Sequence, residues 1–231
     1  MMKKHGFTLA EVLITLSIIG VVASMTMPAL LTNTQEQQSY TGLKKGINTL
    51  TEAGHMSNAI DNWDYASAVT ETTDMKADYN QDETSLGGLL YKRAAIDFAK
   101  GNAVPSDIKT AAAQSYKAIY FKDGTAIYYD KSTAKATDEN AKNADDNIPQ
   151  GYVVLFDTNG LKGPNIVSNC AGTALGAIEA STEALATTVD AAKTACETSG
   201  NKIIKDIFTI RLRGTTAEPE GLASTYVMSR K

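Results

Sequence analysis

Lys3-Lys4-His5-Gly6-Phe7-Thr8-Leu9-Ala10-Glu11-Val12-Leu13-Ile14-Thr15-Leu16-Ser17-Ile18-Ile19-Gly20-Val21-Val22-Ala23-Ser24-Met25-Thr26-Met27-Pro28 is the stretch that decides the fold. It joins a short basic head to about twenty mostly apolar residues, enough at ~1.5 Å per residue to cross a bilayer core of about 30 Å as a helix. Glu11 breaks the pattern. An ionised carboxylate inside an apolar span is costly unless it is paired or held near the interface, so this acid implies a partner. Two plainer readings fit less of the stretch. A secretory signal peptide has a shorter apolar core, of about 7 to 15 residues, and is cut after that core at a small-x-small site. An ordinary single-pass anchor accounts for the length, with the Lys3-Lys4 head held in the cytoplasm by the positive-inside rule. It gives Glu11 nothing to do.

The whole chain, 231 residues, has room for one domain beyond this helix, with an insertion, and not for two large ones. No other apolar run reaches about 18 residues, so one membrane segment is expected, with everything after it outside the cytoplasm. The formal charge of −4 argues against bulk binding to nucleic acid, which needs clustered Lys and Arg to displace counterions. Lys44-Lys45 and Arg211 with Arg213 are local basic spots, read as a solvated helix face and a strand edge.

The junction at Gly6 and Phe7 carries a family resemblance. A short Lys-containing leader ending in Gly, followed by Phe7-Thr8-Leu9-Ala10-Glu11-Val12-Leu13-Ile14, resembles the class III signal of type IV pilins and type II secretion pseudopilins. The resemblance implies a leader of residues 1–6 that a membrane prepilin peptidase removes after Gly6, and methylation of the new amino-terminal Phe7. It gives Glu11 the task of neutralising the amino terminus of a neighbouring subunit as the helices pack into a filament. An ammonium and a carboxylate in low dielectric each supply what the other lacks, although neither gains much over staying in water. The implied partners are copies of the chain, other pilin-like subunits, the peptidase, an inner-membrane assembly platform and membrane lipid. The implied location is the bacterial inner membrane, single pass with the leader cytoplasmic, and then a periplasmic or cell-surface filament. Loss of Lys3 and Lys4 with the leader takes the charge from −4 to −6 before the new amino terminus is counted.

Residues 7–30 form the transmembrane or filament-core part of the helix, and residues 31–60 an amphipathic second half. A stripe at Tyr40, Leu43, Ile47 and Leu50, spaced three and four apart, carries the helix to about residue 60. Pro28 predicts a kink or local unwinding near residues 24–30. Gly42, Gly46 and Gly54 each cost a helix roughly 1 kcal/mol relative to Ala; they admit close approach by a sheet or they mark weak points.

Residues 61–231 form the head. A loop is expected over 61–84, a short helix from Ser85 to Lys100, and a helix or turn from Pro105 to about Ser115. Ala118–Lys122 and Thr125–Tyr129 are β-prone runs joined by Asp123-Gly124, which predicts a hairpin with a two-residue turn. After a polar loop over 130–150, Tyr152–Phe156 reads as a third strand and Ile203–Leu212 as a fourth, with a turn at Pro219-Glu220-Gly221 and a further short strand in Leu222–Lys231. The fold class is therefore α+β and pilin-like: a long N-terminal helix, its second half laid on a small antiparallel β-sheet of about four strands. Asp157-Thr158-Asn159-Gly160-Leu161-Lys162-Gly163-Pro164-Asn165 is similar to an Asp-x-Asn-Gly-x-x-Gly-Pro-Asn run of some pilin-like proteins of gut and related bacteria, where an Asp-x-Phe follows closely on the last strand. Here Asp206-Ile207-Phe208 stands well beyond it, so residues 166–199 read as an insertion before the last main strand, with helical content at Ala174–Ala186 and Val189–Cys196.

Both cysteines, Cys170 and Cys196, lie in that insertion. Outside the cytoplasm a pair reads as one disulfide. A single straight helix would hold them more than about 30 Å apart, whereas a disulfide needs Cα atoms within about 7 Å. Either the excursion doubles back near Thr187 and Thr188 or the two remain buried free thiols. Of catalytic sets there is little sign: His5 leaves with the leader, His55 stands alone, and no Ser-His-Asp set, zinc-ligand spacing or Walker A loop is present. No enzyme activity and no obligatory cofactor are expected. Asp157, Asn159 and Asp206 offer oxygen ligands beside a glycine turn, of the sort calcium takes. The plainer reading is a turn whose Asp and Asn side chains bond their own backbone. The function implied is that of a structural filament subunit, of a type IV pilus or a secretion pseudopilus; the alternative is a membrane-anchored surface-binding protein that does not polymerise.

Overall fold

The computed structural model describes residues 7–68, 85–101, 104–105, 116–130, 152–170, 188–198 and 202–230, with backbone alone for 28–33 and 130. It divides into two compact units, Met1–Gln38 and Ser39–Lys231. One helix, α1 (Leu9–Asp61), contributes to both. Its assignment is unbroken at Pro28, so the unwinding predicted near residues 24–30 is absent; the ring removes one amide donor and the helix tolerates that loss.

Within the second unit, the predicted stripe is the packing face of α1. Leu43, Ile47, Leu50 and Ala53 are buried in one cluster with sheet residues Ile119, Ile127, Val154, Phe156, Phe208 and Ile210, and Tyr40 packs at its border. The sheet comes so close that a Cβ at Gly46 would run into the ring of Phe156. Gly42 and Gly54 face Thr158 and the Thr215 carbonyl less tightly, at 2.8 and 2.5 Å from the place of a Cβ. These glycines are approach points for the sheet, the first of the two readings above.

The sheet has five strands in the order β1-β2-β3-β4-β5: β1 (Tyr116–Tyr120), β2 (Ala126–Asp130), β3 (Tyr152–Asp157), β4 (Ile207–Arg213) and β5 (Thr216–Pro219). Every neighbouring pair is antiparallel. Because side chains alternate along a strand, residues offset by one form the other face. There Ala118, Tyr120, Ala126, Tyr128, Leu155 and Ile207 make a second buried cluster, flanked by Tyr116, Val104 and Val167. The architecture is α+β as expected, with one strand more.

Four details differ from the sequence reading. The hairpin loop is longer than two residues: Phe121 N donates to Thr125 O at 2.9 Å and Gly124 N to Phe121 O at 3.0 Å. Gly124 alone takes positive φ, +92°, whereas a two-residue type I′ turn needs it at both central positions. The helix expected over Ser85–Lys100 is interrupted. Ser85 Oγ accepts from Gly88 N and starts α2 (Leu86–Arg93), and a 3-10 turn (Phe98–Lys100) follows. Between them Ile96 bridges to Phe121, with Asp97 N donating to Tyr120 O and Lys122 N to Ala95 O, both at 2.8 Å. Strand pairing there outcompetes helix propensity. The fourth strand starts at Ile207 rather than Ile203, which makes an isolated bridge to Asn169. Finally, the tail is helical: α4 (Gly221–Ser229) replaces the expected strand, and Ala223, Tyr226 and Val227 are buried in the main core.

Within the insertion, α3 (Val189–Thr198) realises the second helical segment and packs against α4. Cys170 and Cys196 are disulfide-bonded, with Cα atoms 4.7 Å apart, so the free-thiol alternative falls away. Closing a loop of this size contributes about 3 kcal/mol in the chain-entropy model. Ala174–Ala186, the Pro105–Ser115 segment beyond Pro105, and the polar loop after Asp130 lie outside the described residues, as do 69–84.

Candidate functional site

Two places collect the residues singled out from sequence: the amino-terminal end of α1 and the turn that follows β3.

At the first, Thr8 precedes the helix and Glu11 sits in its first turn. Glu11 Oε2 accepts from the Thr8 amide and from Thr8 Oγ1, both at 2.8 Å, and the Glu11 amide donates back to Thr8 Oγ1 at 3.3 Å. This is a capping box: each side chain satisfies a donor that the helix cannot. Glu11 also lies where the positive end of the helix dipole favours a carboxylate. The acid that looked misplaced in an apolar run is locally well placed, and the sequence signal was Thr8-x-x-Glu11, which the reading above passed over. Phe7 is 90% exposed. From Leu9 to Met27 runs a segment apolar and long enough to cross a membrane, with no residue of it buried among the described residues. Its hydroxyls turn inward on the helix: Thr15, Ser17, Ser24 and Thr26 donate to carbonyls three or four residues back. That is the arrangement a lipid-facing helix needs, because hydrocarbon offers no partner. Gly6, the expected cleavage position, lies outside the described residues.

At the second place the structure brings Asp157, Asn159 and Asp206 together. Asp157, the last residue of β3, is wholly buried. Its Oδ1 accepts from the amides of Asn159 and Gly160, each at 2.9 Å, and its Oδ2 from the Tyr128 hydroxyl at 2.7 Å. Asp206 Oδ2 accepts from Asn165 N at 2.7 Å and Asn159 Nδ2 at 3.2 Å, while its Oδ1 takes Ile166 N at 2.9 Å. Thr158 donates through both its amide and its hydroxyl to the Asp206 carbonyl. The turn is thus buckled to the start of β4 by its own polar groups. Tyr128 and Asn165 are the members that sequence reasoning missed, since a strand tyrosine and an asparagine at φ +51° carry no local sign of a shared acid. Each carboxylate already receives protein donors, as the plainer reading has it. Among the described residues no group of three or more His, Cys, Asp and Glu is placed to hold a metal ion.

Burial pushes the Asp157 carboxyl up to about 6 against the pull of its amide and Tyr128 donors, and the Asp206 charge adds to the rise. The Tyr128 hydroxyl is driven upward as well, by burial first and then by the Asp157 charge. Of the basic spots, Lys45 pairs with Asp123 at 2.8 Å and Arg211 grips Glu220 through two bonds; both are committed within the head.

Among curated proteins and solved structures no match is found. The family comparison does place the amino-terminal element: residues 1–27 match the prokaryotic N-terminal methylation motif, the prepilin-type motif of type IV pilins and pseudopilins.

Proposed function

We propose that the chain is a structural filament subunit, of a type IV pilus or a type II secretion pseudopilus. The observation that carries this is the coincidence of two features. The methylation motif covers residues 1–27, and the helix it opens carries an apolar segment, Leu9–Met27, long enough to cross a membrane and not buried among the described residues. Such a surface is satisfied by lipid before assembly and by copies of the same helix, or by other pilin-like subunits, afterwards. Prepilin peptidase cuts between Gly6 and Phe7 and methylates Phe7. The subunit waits in the inner membrane, head outside the cytoplasm, until an assembly platform extracts it. The result is a periplasmic or cell-surface filament. No catalytic chemistry enters, and no cofactor is required; the oxygens of Asp157, Asn159 and Asp206 are of the sort calcium takes, and calcium would have to compete with the donors already on them.

The capping box sharpens the role of Glu11. In the single chain its Oε2 is turned back on Thr8; in the filament the carboxylate meets the amino group of a neighbouring Phe7. The two duties separate by substitution, because a glutamine at this helix position keeps the capping geometry while discarding the charge. Glu11→Gln and Glu11→Ala subunits should both fall well below wild type in incorporation, scored by immunoblot of sheared filaments. A Glu11→Gln subunit that enters filaments as well as wild type refutes the charge role. Absence of the wild-type chain itself from sheared filaments favours the membrane-anchored binding protein that does not polymerise.

A further inference from the structure

Among the described residues of the second unit, the exposed large apolar side chains are Met56, Ile60, Phe98, Leu161, Ile166 and Val189. Phe98 has the Tyr91 ring against its own, centroids 5.3 Å apart, and Val189 stands singly at the start of α3. The other four fall into two pairs, each with a charged residue beside it.

Glu52, Met56 and Ile60 are exposed and spaced four apart on α1, so they form one ridge of the helix. Leu161, Lys162 and Ile166 are exposed on the turn after β3. That turn holds them on a fixed frame, because Gly160 N donates to Asp157 and Ile166 N to Asp206, both at 2.9 Å. Among the described residues neither Glu52 nor Lys162 has an ion-pair partner. The turn begins where Thr158 meets Gly42 of α1, and Met56 and Ile60 lie about 20 Å and more farther along the helix axis. The two patches therefore stand at opposite ends of the part of α1 that packs on the sheet. One carries an acid where the other carries a base.

We propose that the Glu52-Met56-Ile60 ridge of one copy receives Leu161, Lys162 and Ile166 of the next, with the Lys162 ammonium set against the Glu52 carboxylate. The inference rests on the filament-subunit reading and names a surface through which the heads of that filament meet. Two different patches that pair between copies make a heterologous contact, which repeats into a helical filament when its rotation does not close. Charge selects the occupant. An anionic lipid surface would repel the Glu52 ridge, whereas a second copy brings both the apolar pair and the base. Two apolar side chains a side fall far short of the roughly 1,000 Å² that a free-standing interface needs. The contact thus forms among copies already aligned through α1, where the effective concentration is high.

Wild-type filaments supply the first test, which needs no variant to fold. A water-soluble carbodiimide condenses a touching amine and carboxylate into an amide. Sheared filaments treated with it should give a ladder of multimers on a denaturing gel, and peptide mass spectrometry should find Lys162 joined to Glu52. Charge exchange supplies the second. Lys162→Glu and Glu52→Lys should each lower incorporation about two- to fivefold, the range that an exposed ion pair supports. The double exchange should return it to the wild-type level, the mark of direct coupling. No Lys162–Glu52 peptide, Lys162 joined only to another protein, or a double exchange no better than the singles overturns the contact and leaves the filament reading standing. Wild type missing from sheared filaments removes that reading, and the contact with it.

Discussion

At the head of α1, Thr8 and Glu11 satisfy each other's helix-end donors within a span otherwise built from aliphatic side chains. Removing the hydroxyl should fray the first turn: an N-cap Ser or Thr is worth about 1 kcal/mol. For Thr8→Val in micelles, amide exchange at Leu9 to Val12 should therefore rise about fivefold, read by hydrogen-exchange NMR; unchanged exchange would mean that the detergent interface, not the capping box, holds that turn. This cap is legible in the sequence as Thr-x-x-Glu, a signal that the apolar surroundings of Glu11 obscure. The neighbourhood of Asp157 was half legible. Its Asx turn with Asn159 and Gly160 is local chemistry. The Tyr128 hydroxyl reaches it across a strand pair, at a separation in sequence that no motif encodes.

Among the elements, those whose signals were periodic came through. The Tyr40-Leu43-Ile47-Leu50 stripe and Val189–Cys196 lie in the helices they foretold, and the two β-prone runs overlap β1 and β2. The misplaced ones share a cause, which is that a distant partner decided between two locally acceptable conformations. Residues 94–97 leave the helix because Ile96 has a strand edge to join. The tail after Glu220 coils rather than extends because Ala223, Tyr226 and Val227 then share one buried side against α3 and β4. Phe156 and Gly46 illustrate the reverse, where an apparent weakness in sequence is a packing requirement. Substituting Gly46→Ala gains helix propensity of roughly 1 kcal/mol but forces a methyl into the Phe156 ring. Overpacking of that kind costs about 1–3 kcal/mol, so the urea midpoint followed at Trp63 should fall. A midpoint at or above wild type would show that the sheet can retreat from α1 without loss.

For the molecule as a whole, the second unit is a five-stranded sheet buried on both faces and stapled by Cys170–Cys196, and the first holds the apolar segment Leu9–Met27, long enough to cross a membrane. The sheet and its cover account for a stable head. In the sequence before Pro28 the methylation motif, the capping box and the apolar span coincide. The motif matched over residues 1–27 was readable directly because its signal is local in sequence. Which filament the subunit enters depends on partners that its own residues do not encode in any short motif. The most direct test of the filament-subunit account is intact and amino-terminal peptide mass spectrometry of the chain recovered from its native membrane. The account requires a mature protein that begins at N-methylated Phe7. A chain that still carries Met1 to Gly6, or one cut beyond Met27, would contradict it.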